Sequence, residues 1–173
     1  MELAEFNRLD PAAAAELVGV WAAVPAWTDA VIAGRPYGSV DELARAAQAA
    51  AERWTRGDLD AALAHHPRIG ERVTGAGPEA AASRHEQFSV SRAGPDVARE
   101  IARGNEAYEQ RFGRVFLIRA AGRSPAEILA ELRRRLDSDE DTEASEALGQ
   151  LAQIAVLRVR AAVTDTSPER NPA

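Results

Sequence analysis

Two short polar segments near the middle of the chain carry side chains that can bind and transfer protons. The first is His66-Pro67-Arg68-Ile69-Gly70, and the second is Ser83-Arg84-His85-Glu86-Gln87. A neutral imidazole near pH 7 can either donate or accept a proton, as general acid–base catalysis requires. In an otherwise alanine-rich helical sequence, these two segments indicate an enzyme.

Pro67 constrains the backbone at His66. Proline disfavours helical geometry in the residue before it, so the preceding helix is predicted to end at about His65, with His66 extended. Gly70 then allows the chain to bend away. The ring of His66 is thereby aimed in a defined direction. The alternative is that His66 only stabilises a helix C-terminus, where an imidazolium interacts with the negative end of the helix dipole.

Ser83, Glu86 and Gln87 are predicted to share one face of a helix, because their spacing is i, i+3 and i+4. A hydroxyl, a carboxylate and an amide on one face suit a polar, ureido-like ligand, and Glu86 could also orient a histidine. His85 falls on another face and is expected to be solvated. The alternative is an exposed polar face without a ligand.

Arg158 is predicted to point towards the core. The apolar stripe of the last helix places Arg158 at its centre and Arg160 on roughly the opposite side, at about 100° per residue. An isolated buried charge is very costly, so Arg158 requires an internal carboxylate or an anionic ligand. The alternative to a ligand is a structural ion pair with Glu86 or another internal acid.

Helix start signals predict the elements that hold these side chains. Asp10-Pro11 combines an N-cap with a proline at the first helical position. Ser39 with Glu42, and Ser124 with Glu127, have the spacing of capping boxes. The other predicted starts lie at Asp58, Pro78, Pro95 and residues 139–142.

These signals predict an all-α, single-domain bundle of about seven or eight helices over residues 1–163. Residues 164–173 are polar and are predicted to form a disordered tail. Gly113 suits a left-handed helix end after Phe112. Residues 115–118 are apolar but have no partner strand, so they are predicted to form a buried extended link. Residues 71–77 are predicted to form a mobile loop.

The composition and net charge of the chain argue against several classes of function. The chain has 173 residues, of which 46% are hydrophobic and 28% charged, and a net charge of −6. This charge argues against binding to nucleic acids or anionic membranes. The absence of cysteine excludes disulfides and thiolate metal sites. Neither a signal peptide nor a membrane-spanning apolar run is recognisable, so a cytoplasmic protein is expected.

The two central motifs resemble those of the 2-oxo-4-hydroxy-4-carboxy-5-ureidoimidazoline (OHCU) decarboxylase family. The family pattern is His-Pro-x-x-Gly followed by Ser-x-x-Glu-Gln, with a separation like the one in this chain. The resemblance extends over nearly the whole chain up to the tail. It includes Phe6-Asn7, Arg35-Pro36-Tyr37, the segment from Phe112 to Ile118, Gly122-Arg123-Ser124, Ile128-Leu129, and the segment from Ile154 to Val159.

The resemblance implies an all-helical enzyme of urate catabolism that decarboxylates OHCU to (S)-allantoin. It implies no metal or organic cofactor, a small-molecule substrate and a homodimer. By motif, His66 would be the catalytic histidine, and we expect Glu86 to hold it in position. The ligand site would be lined by Pro67, Ser83, Gln87 and Arg158, with main chain near Ile118 binding the ring.

Two other classes compete with this interpretation. The first is a non-catalytic helical binding or scaffold protein that keeps the fold and uses its acidic surface for partner contact. The second is a zinc hydrolase, which is disfavoured because the three histidines lack His-x-x-x-His spacing and no thiol could complete a site.

Overall fold

The computed structural model describes residues 1–64, 66–71, 82 and 93–165. In this part of the chain the regular structure is helical, apart from one isolated parallel bridge between Glu2 and Thr164. The helices are α1 (Leu3–Arg8), α2 (Pro11–Trp21), α3 (Pro25–Ala33), α4 (Val40–Ala51), α5 (Arg56–Leu63), α6 (Pro95–Phe112), α7 (Pro125–Leu136) and α8 (Glu140–Ala162). The all-α prediction is confirmed.

Among the described residues, no helix is both long enough and apolar enough to cross a membrane.

Several predicted helix boundaries are confirmed by their capping contacts. The Asp10 carboxylate accepts the first free amides of α2, those of Ala12 and Ala13, at 3.0 Å each. Ser124 and Glu127 form the predicted capping box at the start of α7. Gly113 ends α6 with φ 68°, the left-handed conformation that glycine adopts without steric cost.

Two predicted caps are partly wrong. The N-cap of α5 is Thr55, and Asp58 is its third residue, so Asp58 completes a capping box instead of starting the helix. At α4, Ser39 accepts the amide of Glu42 as predicted, but the Glu42 carboxylate accepts the amide of Gly38 at 2.7 Å. At α5 the error arises because Thr55 and Asp58 have similar capping chemistry, whereas at α4 the carboxylate binds the amide one residue before the predicted one.

The helices α1 and α3 have no side-chain cap, and the sequence therefore carries no start signal of that kind for them. The helix predicted from Pro78 through the Ser83–Gln87 segment lies outside the described residues, apart from Ala82.

The chain divides into two compact units, which we describe separately. The first comprises residues 1–53 and 155–173, and the second comprises residues 54–154. One domain over residues 1–163 stays a prediction. At the start of the predicted tail, the Thr164 amide donates to Met1 O at 3.0 Å and Asp165 accepts the Val40 amide at 2.7 Å. Residues 166–173 lie outside the description.

In the first unit, aromatic side chains are buried in the core, and polar side chains bind main-chain groups. Asn7 and Tyr37 exchange two hydrogen bonds: Asn7 Nδ2 donates to Tyr37 O at 2.9 Å, and Tyr37 N donates to Asn7 Oδ1 at 3.0 Å. Arg35 Nη1 donates to the carbonyl oxygens of Phe6 and Leu9 at 2.9 and 2.8 Å. These bonds join the first helix to the segment that follows α3.

The second unit contains a buried ion pair inside its apolar core. Arg135 of α7 and Glu143 of α8 are both 0% exposed, and Arg135 Nε donates to Glu143 Oε2 at 2.8 Å. The Tyr108 hydroxyl of α6 also donates to Glu143, and burial raises the pKa of that hydroxyl. Arg135 additionally lies over the ring of Phe116, 4.8 Å from its centroid. The Arg135 guanidinium and the Glu143 carboxylate thus connect α6, α7 and α8 with residues 115–118, the link between α6 and α7.

Residues 115–118 form neither a helix nor a strand, as predicted for a link between helices. Phe116, Leu117 and Ile118 are all buried, and Phe116 and Ile118 belong to a cluster that also contains Ile69, Ile101 and Tyr108. The apolar side chains of this link therefore serve as core between α6 and α7.

Glu143→Ala is expected to destabilise the protein by about 3–5 kcal/mol, because it leaves the Arg135 charge buried without its partner. The matched control is Glu146→Ala on the same helix. Glu146 pairs with Arg134, whose side chain is half exposed, so this change is expected to cost less than about 1 kcal/mol. Urea unfolding followed by circular dichroism measures both changes, and equal losses would contradict the assigned role of the buried pair.

Candidate functional site

The structure places His66 three residues beyond the end of α5. The helix ends at Leu63 with Ala64 as its C-cap, and the His66 amide donates to Leu63 O at 3.0 Å. His66 and Pro67 are both half-buried. The predicted helix end before Pro67 is confirmed, whereas His65 lies outside the described residues.

The chain turns sharply after Pro67. Gly70 has φ 84°, a left-handed conformation that favours glycine, and the Glu71 amide donates to Arg68 O at 3.2 Å across the turn. Ile69 is buried in the core of the second unit, while Arg68 is exposed. We call residues 66–71 the His66 loop. Its predicted bend at Gly70 is confirmed.

Two side chains of α6 bind the His66 loop. Asn105 Nδ2 donates to Ile69 O at 2.9 Å. Glu109 accepts two hydrogen bonds from the Arg68 guanidinium, from Nε at 2.5 Å and from Nη2 at 2.7 Å. The hydrogen bonds from Arg68 hold the pKa of the Glu109 carboxyl below its usual value. Arg68 Nη1 also donates to Glu71 at 3.0 Å, so the loop is fixed to α6 and to itself.

Ile118 lies in the link between α6 and α7 of the same unit. Both neighbouring peptide groups are held by side chains: Arg135 Nη1 donates to Leu117 O at 2.7 Å, and Arg119 N donates to Gln150 Oε1 at 2.9 Å. Within the described part of the chain, Ile118 N and Ile118 O have no hydrogen-bond partner. This main chain is rigid and able to bond a planar polar ligand.

Arg158 belongs to the first unit. It is half-buried, and its Nη1 donates to Val20 O at 3.0 Å, in the last turn of α2. A guanidinium at this position satisfies a carbonyl that lacks a partner within the helix. Arg160, predicted on the opposite side of α8, is exposed and pairs with Asp41 at 2.6 Å. The predicted difference in burial between the two arginines is therefore confirmed.

Ser83, Glu86 and Gln87 lie outside the described residues, as does His85. Their shared helical face, and the pairing of Glu86 with His66 or Arg158, therefore stay predictions. The predicted mobile loop at residues 71–77 also lies outside the description, except for Glu71.

Three polar residues that bind the candidate main-chain segments were missed in the sequence: Asn105, Arg135 and Gln150. Two of them, Asn105 and Arg135, carried a usable signal. Asn105 lies between Ile101 and Tyr108 on the buried face of α6, and Arg135 follows Leu132 by three residues on the buried face of α7. The helical spacing that singled out Arg158 also places both of these residues inward.

Comparison with known proteins adds independent information. The family model described as OHCU decarboxylase matches residues 7–160. A 2-oxo-4-hydroxy-4-carboxy-5-ureidoimidazoline decarboxylase of Haloferax volcanii is 33% identical over 162 residues, which cover 92% of this chain and 94% of the relative. The uric acid degradation bifunctional protein PucL of Bacillus subtilis is 28% identical over 134 residues, covering 76% of this chain and 26% of that longer protein.

Two solved structures share the fold. A crystal structure of an OHCU decarboxylase in the presence of (S)-allantoin has a TM-score of 0.69 at 21% identity, covering 83% of this chain and 94% of the other. A crystal structure of (S)-allantoin synthase has a TM-score of 0.70 at 16% identity, covering 94% of this chain and 54% of the other. On the strength of the family match and the Haloferax relative, the chain belongs to the OHCU decarboxylase family.

Proposed function

We propose that this protein decarboxylates 2-oxo-4-hydroxy-4-carboxy-5-ureidoimidazoline to (S)-allantoin in urate catabolism. Family membership over residues 7–160 supports this activity. The observation that carries the proposal is the placement of His66 at a helix end, in a loop that is bound to α6 at two points. Such a loop holds an acid–base group in one position, as proton transfer in a transition state requires.

The proposed reaction begins with cleavage of the bond between C4 and the carboxylate carbon. The electron pair of that bond forms a C4=C5 double bond, and the pair of the former C5=N bond moves to the nitrogen, which takes up a proton. Proton transfer from the C4 hydroxyl and to C5 then yields the C4 carbonyl of allantoin. We propose that His66 moves the proton at the hydroxyl or the ring nitrogen and that Glu86 orients its imidazole.

No metal or organic cofactor is needed for this sequence of steps. Decarboxylation requires a group that accepts the electron pair, and the C5=N bond of the substrate itself serves as that acceptor. We therefore propose a cofactor-independent carboxy-lyase.

The remaining groups are proposed to bind and orient the substrate. Main chain at Ile118 would bond the ring, because both adjacent peptide groups are already held by Arg135 and Gln150. The planar guanidinium of Arg158 suits a carboxylate or carbonyl group. Pro67, Ser83 and Gln87 would complete the contacts to the ring and the ureido group. Preorganised donors of this kind lower the barrier without rearranging during the reaction.

We further propose that the protein is a homodimer in the cytoplasm. Sedimentation equilibrium of the purified chain tests the first statement, since a mass near twice 18.5 kDa is expected. Fractionation of the producing cells tests the second.

The purified protein is expected to accelerate the disappearance of the ureidoimidazoline. The substrate is generated in the cuvette from urate with urate oxidase and hydroxyisourate hydrolase, and its ultraviolet absorbance is followed before and after the protein is added. Optically active allantoin should accumulate. Decay at the spontaneous rate would contradict the proposal and would favour a non-catalytic binding or scaffold protein.

His66→Ala is expected to lower turnover by about 100-fold to 10,000-fold, the range that general acid–base groups contribute. Its far-ultraviolet circular dichroism should match that of the unchanged protein. His85→Ala is the matched control, because His85 is predicted to be solvated and should leave turnover intact. Near-normal turnover in folded His66→Ala would remove His66 from the mechanism.

A comparison of Gly70→Ala with Gly113→Ala separates the effect of a distorted His66 loop on turnover from the effect of lower overall stability. Both glycines have positive φ, 84° and 68°, so each alanine is expected to cost about 1–2 kcal/mol. Only Gly70→Ala should also lower turnover, because it alone distorts the segment that holds His66. Urea unfolding and the ultraviolet assay, both well below the unfolding temperature, measure the two effects. Equal turnover in both variants would contradict the assigned role of the loop.

A further inference from the structure

We propose that Asn105 of α6 is a positioning residue for His66, acting through the main chain of the His66 loop. This inference rests on the proposed function, in which His66 transfers the proton. Asn105 lies in the same compact unit as the loop, and it binds the loop backbone directly.

The hydrogen bond from Asn105 is buried and has a determined orientation. The residue is 4% exposed, and its Nδ2 lies 2.9 Å from Ile69 O. A carbonyl oxygen only accepts hydrogen bonds, so the amide nitrogen must face Ile69. In a low-dielectric interior such a bond is stronger than one in water, and breaking it leaves a buried carbonyl without a partner.

A second contact, one helical turn further along α6, holds the preceding loop residue. Glu109 lies four residues after Asn105, on the same face of the helix, and binds the Arg68 guanidinium through both oxygens. At the start of the loop, the His66 amide is bonded to Leu63 O. The loop is therefore held at the His66 amide, at the Arg68 side chain and at the Ile69 carbonyl, and these contacts restrict the movement of His66.

Packing alone does not explain an asparagine at this position. Its neighbours on the buried face of α6 are Ile101, Tyr108 and Phe112, and the side chain of Ile69 lies in the same apolar cluster. An amide in such surroundings costs free energy unless its polar atoms are bonded. The oxygen of the side-chain amide, Asn105 Oδ1, is buried and has no hydrogen-bond partner within the described part of the chain. An apolar side chain would suit the core better, so the Nδ2 bond to the loop accounts for the amide.

The space beside this bond leaves room for the loop to shift if the bond is lost. A cavity of about 110 Å³ lies between the loop and α6, lined by Asn105, Ile69, Gly70 and Glu106 among others. On this side of the loop, packing leaves room for small displacements, although the Ile69 side chain is itself buried in the core. The hydrogen bond to Ile69 O and the Glu109 pair add to the packing of Ile69 in opposing such displacements.

The consequence is a selective effect on the chemical step. A displacement of about 1 Å at a reacting group can lower the rate about 100-fold, whereas binding groups elsewhere on the substrate are unaffected. Loss of the Asn105 bond should therefore reduce kcat and leave KM nearly unchanged. A residue needed only for folding would instead lower the amount of active protein and the thermal stability.

Asn105→Leu tests the proposal, because leucine is close to asparagine in shape and cannot donate. Active, folded protein is quantified first by circular dichroism and size-exclusion chromatography. We expect kcat to fall about tenfold to 100-fold, with KM within about twofold of the unchanged protein. The control is Glu106→Gln, which alters an exposed residue lining the same cavity and should change neither constant.

Glu109→Gln provides a second test that keeps the core intact. It removes the charge of the outer contact with Arg68, and we expect kcat to fall by a smaller factor than in Asn105→Leu, again with KM unchanged. If Asn105→Leu does not fold, this variant decides the question: an unchanged kcat then overturns the positioning of His66 by α6.

The two proposals fail in different ways. If the unchanged protein does not accelerate substrate decay, the proposed function is overturned. If the unchanged protein is active but folded Asn105→Leu retains full kcat, or raises KM alone, only the positioning role of Asn105 is overturned.

Discussion

The buried ion pair between Arg135 and Glu143 is the interaction on which the second unit depends. The pair joins α7 to α8, accepts Tyr108 of α6 as a third member, and binds the carbonyl of Leu117 in the link. Two unpaired charges at this depth would be far more costly than the pair, so all four elements must meet in one arrangement. The same arrangement presents the main chain at Ile118 and sets the position of α6. Because Asn105 precedes Tyr108 by less than one turn, the buried pair also determines where α6 meets the His66 loop.

Arginine side chains bind main-chain carbonyls in both units. In the second unit, Arg135 binds Leu117 O in the link. In the first, Arg35 binds the carbonyls of Phe6 and Leu9, and Arg158 binds that of Val20 near the end of α2. Carbonyls at helix ends and in extended links have no partner within their own element, and the several donors of a guanidinium can satisfy them without a further helix or strand. Arginine side chains thus hold helix ends and the link between α6 and α7 in place.

Local sequence predicted the features that depend on neighbouring residues. The cap at Asp10, the helix end before Pro67 and the left-handed glycines at positions 70 and 113 all follow from backbone restrictions that act within a few residues. No start was predicted for α1 and α3, which have no capping side chain, whereas Pro95 alone was enough to predict the start of α6. At α5 the prediction was partly wrong because Thr55 and Asp58 offer similar chemistry.

The contacts of the candidate site were harder to predict, because their partners lie far apart in sequence. Helical spacing could have shown that Asn105 and Arg135 face inward, but it could not show that they bind Ile69 O and Leu117 O. For Arg158 the spacing indicated an inward position, yet its carbonyl partner Val20 is 138 residues away. Only the packing of helices against one another selects such partners. The Glu86 contact that sequence spacing suggested remains a prediction.

The most direct test of the account is the enantiomeric composition of the allantoin formed by the unchanged protein and by His66→Ala, measured side by side with circular dichroism. The proposed site binds the substrate with one face presented to the proton donor, so C5 should be protonated on that face and the unchanged protein should give a single enantiomer. In His66→Ala the catalysed reaction should be slower by about 100-fold to 10,000-fold, so that the spontaneous reaction contributes most of the product and racemic allantoin accumulates. A single enantiomer formed at an undiminished rate by His66→Ala would contradict the central role assigned to His66.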